Sequence, residues 1–460
     1  MRIAVIGAGI AGLSAAWLLS RDHEVIVYER NARLGGHANT LTVPPSPGEG
    51  AEPVPIDTGF IVYNTANYPN LIALFDHLDV PTAATNMSFG VSLNDGAYEY
   101  SGSGFHGLFG QRRNLVSPAH WQMVRDLLRF FEDAKALSKG AGRSDAGPSL
   151  GDWLAQRRYS KPFIERHIVP MGAAIWSTPA DQMLAFPAAS FARFFANHGL
   201  LQIKDRPQWR TVDGGSRVYV SKLASDAGFE TRLSQSVANV ERDPKGCSVV
   251  TADGARDRFD ACVMATHADV TAKLLRDADQ RERETLSAFP YTDNVAVLHQ
   301  DPSAMPKRRR IWASWNYLSN GATGDLAVSY WMNSLQPLRT EADWFVTLNP
   351  LDAIAPDRIS AEVSYRHPVF NGEAIRAQPR LWDLQGHRRT WYCGSYFGYG
   401  FHEDGAQSGL AAAEDLSGLV RPWADPAKFA QQNDRLTLPA DWAPGRGRSQ
   451  VSDLGAVAAK

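Results

Sequence analysis

The sequence predicts an α/β protein in which a Rossmann-like dinucleotide-binding domain is interleaved with an α+β domain. Three observations predict it. The first thirty residues read as strand, glycine-rich turn, helix, second strand and terminal acid. The middle of the chain loses that rhythm and becomes helical and aromatic. Near residue 391 a strand, a Gly-rich turn and a small-residue helix return. A nucleotide domain that is entered, left and re-entered gives expected bounds of 1–80, 205–275 and 386–425. The second domain then takes 81–204 and 276–385, and residues 440–460 form a mobile tail.

The first unit is the most specific. Its turn is Gly7-Ala8-Gly9-Ile10-Ala11-Gly12, a GxGxxG between a strand at 2–6 and a helix at 11–20. Gly7 makes the tight exit from the strand, Gly9 lets a pyrophosphate approach the backbone, and Gly12 lets the helix pack closely on the strand. The first N–H groups of the helix have no partner within it and face the phosphates, and the helix dipole favours their charge. Glu29 ends the second strand, 17 residues past Gly12, where a carboxylate can bind an adenosine ribose. The unit leaves NAD and FAD both open.

Composition sets the outer bounds. The chain has 460 residues, enough for two or three domains, and 44% are hydrophobic. A net charge of -2 gives no field that would draw nucleic acid. Cys247, Cys262 and Cys393 are scattered and lack metal-ligand spacing. We expect a reducing compartment, no disulfide framework and no metal. The first strand begins at Arg2, and no run of about 20 apolar residues occurs. The expectation is a cytoplasmic protein, soluble or held peripherally at the inner membrane surface.

Taken in order, Arg33-Leu34-Gly35-Gly36-His37 follows the acid. A second glycine clamp with a nearby arginine suits FAD better than NAD, because a flavin must extend beyond the first unit. Residues 42–55 are rich in Pro and Gly and read as an exposed loop. Asp57-Thr58-Gly59-Phe60 is a turn before a short apolar strand, and Gly59 would allow backbone approach to a planar ring; an ordinary turn explains it equally. A helix is expected at 68–78, and a mobile Gly-rich stretch at 101–110. Ser117 and Pro118 open a helix whose apolar face is Trp121, Val124, Leu127, Leu128, Phe131 and Ala134. Further short helices with many rings run to Asn197. These rings read as core, with a substrate tunnel as the sharper alternative.

The chain re-enters the nucleotide domain at Gly214-Gly215, followed by a helix over 218–227 and strands near 237–240, 247–251 and 261–265. The last is a buried parallel-type strand that ends in Thr266-His267, the end where ligands sit in such sheets. The basic run Lys307-Arg308-Arg309-Arg310 reads as a solvated strand entrance, with contact to anionic lipid as the minority reading. Aromatic strands at 311–317, 326–332 and 344–347 follow. The strand at 391–395, the turn Tyr396 to Gly405 and a helix from Gly405 supply a second dipole-bearing helix start.

Together these pieces resemble the flavin amine-oxidase and phytoene-desaturase superfamily. The matching residues are Gly7, Gly9 and Gly12 with Glu29; Arg33, Gly35 and Gly36; Asp57 and Gly59; Gly214 and Gly215; Ala265 and Thr266; and Gly394 with 403–409. Gly400-Phe401-His402-Glu403-Asp404-Gly405 resembles a bacterial branch found with cyclopropane-fatty-acid-synthase-like methyltransferases. The resemblance implies a glutathione-reductase-like FAD domain. It also implies a fatty-acyl substrate, methylated and attached to phospholipid, with that methyltransferase as partner. It implies that Gly7, Gly9, Ile10, Ala11, Gly12, Arg33, Gly35, Gly36 and His37 bind the pyrophosphate region and Glu29 the ribose. It further implies that Val237 meets adenine through its backbone, that Gly59 and Phe60 meet the flavin ring, and that Gly394, Ser395, His402 and Glu403 border its ribityl and pyrimidine end.

The sequence departs from amine oxidases in having Ser395 where they carry an acid, and in lacking an obvious lysine near the flavin or a secure aromatic pair among Tyr396, Tyr399 and Phe401. These departures count against amine oxidation, and the resemblance to the bacterial branch implies desaturation of an acyl chain by hydride transfer to flavin N5, with His402 as candidate proton acceptor. A structural histidine explains His402 equally, and Glu403 and Asp404 read as helix caps. Amine or amino-acid oxidation is the second reading, and a flavin-binding lipid carrier or methyltransferase partner the third.

Overall fold

The computed structural model describes residues 1–45, 52–140, 147–176, 180–320, 326–428, 432–433 and 435–447. Its centre is a five-stranded parallel sheet in spatial order Glu230–Arg232, Glu24–Tyr28, Arg2–Ile6, Ala261–Met264, Thr390–Tyr392. Strands from distant parts of the sequence thus lie side by side. Ile3, Ala4 and Val5, and Val25, Ile26 and Val27, are almost wholly buried, as strands covered on both faces require. The helices Ile10–Leu19 and His402–Ser417 pack together beside this sheet. A Cβ on Gly409 would lie 2.1 Å from the Ala11 carbonyl oxygen, so only glycine allows that approach.

A second, seven-stranded sheet has the order Ile359–Pro368, Tyr291–His299, Phe345–Leu348, Leu326–Trp331, Trp315–Ser319, Phe89–Leu93, Tyr98–Ser101. Its pairs are antiparallel except Trp315–Ser319 with Phe89–Leu93. Helices Pro118–Gly140, Leu150–Gln156, Val169–Trp176 and Ala188–Asn197 bury Phe130, Trp153, Trp176, Phe191 and Phe195 in one cluster that reaches this sheet at Val91 and Tyr317.

Several expectations change. The ends of the 42–55 loop pair as a hairpin, Thr40–Val43 with Val54–Asp57, because Val43, Val54 and Ile56 reach an apolar cluster; residues 46–51 lie outside the described set. The 101–110 stretch contains the short helix Gly104–Leu108. On the helix Pro118–Gly140 the predicted residues Val124, Leu127, Phe131 and Ala134 do face the core, but Trp121 and Leu128 are exposed and His120, Met123 and Phe130 are buried instead. Two polar residues share the buried side because each has a partner there. The His120 ring bonds Tyr98 Oη at 2.7 Å, and Asp126 accepts from the Ser160 N–H at 2.9 Å. The last helix starts at His402, not Gly405, because Asp404 accepts from the Phe401 N–H at 2.7 Å. The start of the predicted tail is packed: Trp442 lies against the core and the Gly445 N–H donates to the Glu414 carbonyl at 2.8 Å. Its remainder, 448–460, lies outside the described residues.

Candidate active site

The site is built outward from the first turn. Gly7 has φ +105°, and a Cβ there would lie 2.9 Å from the Ala265 carbonyl oxygen. A Cβ on Gly12 would lie 1.9 Å from the Gly7 oxygen. Gly9 differs: a Cβ there would meet nothing within 4 Å, so its glycine keeps space open and not a protein contact tight. The helix that follows has no side-chain cap, so the leading N–H groups of Ile10 and Ala11 have no side-chain acceptor. The side chains of both are buried.

The second clamp lies against the first. The Gly35 N–H donates to the Ala8 carbonyl at 2.8 Å, and Gly36 stands so close that its Cβ would come 3.1 Å from Gly9 Cα. The Arg33 guanidinium donates to the carbonyls of Leu34, Gly36 and Ala38 at 2.9–3.3 Å, which fixes the clamp and places a cation beside it. Glu29 is buried and accepts from the Ala8 N–H at 3.0 Å and from the Asn31 N–H and side chain at 2.9 and 2.7 Å. Its own carbonyl takes the Gln235 N–H, which brings Val237, the first residue of strand Val237–Asp243, close to the ribose end.

The His37 ring lies 4.9 Å from Tyr365, 5.4 Å from His367 and 6.0 Å from His267, between centroids. Its Nε2 is buried with no partner. Burial, helped by the Arg33 charge, pushes His37 down to about 4; burial also takes His267 to about 4 and His367 to about 3. The three imidazoles are uncharged at neutral pH. His267 was visible at a strand end. His367 was not, because it reaches the cluster from the other sheet and no local motif marks it.

The space a Cβ on Gly59 would take is filled by the His37 carbonyl oxygen at 2.2 Å, so this glycine serves a contact with the clamp. The Phe60 N–H donates to the same carbonyl at 2.7 Å. The Phe60 ring stacks on His402 at 3.8 Å and 8°. His402 Nε2 bonds Tyr219 Oη at 2.6 Å, and burial pushes the imidazole down to about 3. Tyr219, on helix Arg217–Asp226, carried no sequence signal.

Gly394 donates its N–H to Ser408 Oγ at 3.0 Å, and the Ser395 carbonyl accepts from Gly398 and Gly400 at 3.1 Å, so the turn before the last helix is closed on itself. Tyr396 is core, packed on Phe289 and Phe397. Cys393 is free and buried, and burial pushes its thiol up, away from nucleophilic chemistry. Glu403 has partners that the sequence did not show. Its Oε1 accepts from the Asn70 N–H, Asn70 Nδ2 and Gln407 Nε2, and its Oε2 from the Leu71 N–H, each at 2.9 Å. It caps the helix Pro69–His77, and both of its oxygens have protein donors there.

A model of the family described as flavin containing amine oxidoreductase matches residues 10–417. The chain belongs to that family. The family is flavin-containing, FAD is the cofactor, and the parallel sheet is the FAD-binding layer. The AofH protein of Mycobacterium tuberculosis, whose name provisionally assigns it as a flavin-containing monoamine oxidase, is 27% identical over 261 residues, 55% of this chain and 54% of its own. A Synechococcus elongatus protein named, again provisionally, as zeta-carotene desaturase is 25% identical over 342 residues, covering 67% and 66%. The chain thus spans about half to two thirds of the length of these curated relatives. Among solved structures, the CLA-producing fatty acid isomerase from P. acnes shares the fold with a TM-score of 0.62 and 15% identity, over 90% of this chain and 97% of that one.

The residues fit FAD. Open space at Gly9, an uncapped helix start, a fixed arginine and the partnerless His37 Nε2 together suit a diphosphate.

Proposed function

We propose that this flavoenzyme dehydrogenates an apolar acyl chain, a methylated fatty-acyl group of a phospholipid, in concert with a cyclopropane-fatty-acid-synthase-like methyltransferase. The observation that carries the reading is the cluster of rings next to the Phe60–His402 stack, with Arg193 as the charged side chain that reaches those rings, through Tyr399 Oη at 3.5 Å. Phe401 stacks on Phe194 at 4.8 Å and Tyr399 stands 6.3 Å from the same ring. The nearby acids are turned away: Glu403 caps another helix, and Asp404 is held by the Phe401 N–H and Arg435. A hydrocarbon asks for rings without charge, whereas an alkylammonium asks for an anion or an aromatic cage. The carotene-desaturase and fatty-acid-isomerase names among its relatives support the same direction.

Bound FAD supplies a two-electron acceptor. Gly7, Gly9, Gly12, Arg33, Gly35 and Gly36 would hold its diphosphate and Glu29 its ribose. Phe60 and Phe401 would offer apolar ring faces to the acyl chain. His402, tied to Tyr219 and made a weak base by burial, is assigned to orientation of the site, and the substrate proton leaves to water. Amine oxidation is the second reading, carried by the AofH likeness and by Tyr399 and Phe401 as the remaining candidate rings. Mass spectrometry of lipids from cells with and without the protein tests the proposal. A new or lost unsaturation in a methylated chain supports it, and an unchanged acyl profile refutes it.

A further inference from the structure

Ten large hydrophobic side chains are exposed among the described residues, and five of them, Phe105, Leu115, Val116, Trp121 and Leu128, fall within 24 residues of one another. They form one face. Phe105 touches Phe109 at 4.7 Å, Phe109 touches Trp121 at 4.9 Å, and Trp121 Nε1 donates to the Leu115 carbonyl at 2.8 Å. Leu128 lies two turns along the same helix. Val116 is 83% exposed. A cluster of this kind marks an interaction site and not a scatter of surface residues.

The charge around it is one-sided. Residues 103–129 carry Arg112, Arg113, Arg125 and Arg129 against a single acid, Asp126, although the whole chain is at -2. Asp126 is buried and lies within 4.0 Å of Arg125 and Arg129. Arg112 and Arg113 are exposed. The denser run at 307–310 is different: Lys307 meets Asp95, Arg308 the buried Glu99 and Arg309 Asp343, so its charge is largely offset within the protein. No helix among the described residues is long and apolar enough to cross a membrane.

We propose that the face formed by Phe105, Leu115, Val116 and Trp121, rimmed by Arg112, Arg113 and Arg125, docks on an anionic lipid bilayer. The apolar side chains enter the headgroup boundary and the arginines meet lipid phosphates. The inner side of the same helix leads toward the site. Phe130 packs 6.1 Å from Phe195 on helix Ala188–Asn197, whose Phe194 stacks on Phe401 beside His402. One helical layer therefore separates the docking face from the rings around the stack. The purpose of this face rests on the acyl-lipid reading, but its existence does not.

Co-sedimentation of the FAD-loaded protein with vesicles tests it without turnover. Vesicles of equal parts phosphatidylglycerol and phosphatidylcholine should carry the protein down, and phosphatidylcholine alone should carry far less. Removing each arginine weakens binding by about fivefold, so Arg112→Glu with Arg113→Glu should cost about 25-fold or more, and added salt should mimic it. Phe105→Ser with Val116→Asp should abolish binding while flavin content and circular dichroism stay unchanged. Equal sedimentation with both vesicle types, or none with either, overturns the proposal. So does a concentration-dependent dimer in light scattering that Val116→Asp dissolves, since the face would then belong to a second copy. Failure here leaves acyl oxidation standing, and an unchanged lipid profile with intact vesicle binding does the reverse.

Discussion

Replacing Glu403 by alanine separates a structural from a cofactor role for this acid. The side chain accepts four hydrogen bonds, two of them from the backbone N–H groups of Asn70 and Leu71 in the first turn of Pro69–His77. The two side-chain donors have other outlets; Asn70 Nδ2 already reaches the Gln432 carbonyl at 2.6 Å. The two backbone donors are left buried without an acceptor, at about 1–3 kcal/mol each, so the expected cost is about 2–6 kcal/mol. An unfolding entropy of about 2.1 cal/mol/K per residue makes a chain of 460 residues lose roughly one degree per kcal/mol. The thermal midpoint of the FAD-loaded protein, followed by circular dichroism, should fall by about 2–6 °C. Glu403→Gln, which keeps one acceptor, should restore about half of that. FAD affinity and the flavin spectrum should not move. A variant with an unchanged midpoint and weakened FAD binding would refute the reasoning and return Glu403 to the cofactor.

Three further outcomes follow from the same geometry. Gly9→Ala should fold with a stability change within about 1 kcal/mol yet lose at least tenfold in FAD affinity, because its methyl meets no protein atom within 4 Å; Gly12→Ala, 1.9 Å from a carbonyl oxygen, should fail to accumulate as folded protein. Burial raises Asp57 to about 6 and Glu403 to about 7, so the native state holds protons between about pH 4 and 7 that the unfolded chain releases. Their contribution to stability is complete below about pH 4 and is lost as the pH rises through 6 and 7, and in Glu403→Ala that slope should be shallower when midpoints are compared from pH 5 to 8. His402→Gln should lower turnover by less than about tenfold and leave the pH–rate profile intact, whereas a loss of about 10²–10⁴ would restore an acid–base role.

The nucleotide half was legible because its constraints are local. Gly12, Gly35 and Glu29 act on neighbours within thirty residues, and spacing alone exposes them. The parallel strand at 261–264 was legible from its unbroken apolar run. The other half is assembled from distant residues. His367 joins His37 from another sheet, Tyr219 holds His402 from 183 residues away, and Glu403 caps a helix 333 residues earlier in the chain. No window of sequence contains both partners of such contacts. The face of the helix Pro118–Gly140 was misread in part for a related reason: His120 and Asp126 are polar, yet each has a partner inside, so a polar residue marks the buried stripe. The apolar residues displaced from that stripe, Trp121 and Leu128, are the ones left facing outward.

Anaerobic reduction of the bound flavin tests the central claim most directly. Phospholipid extract containing methylated acyl chains, added to the FAD-loaded protein without oxygen, should bleach its absorbance near 450 nm, and a panel of primary amines, polyamines and amino acids should leave it oxidised. Bleaching by an amine with none by lipid would contradict the account.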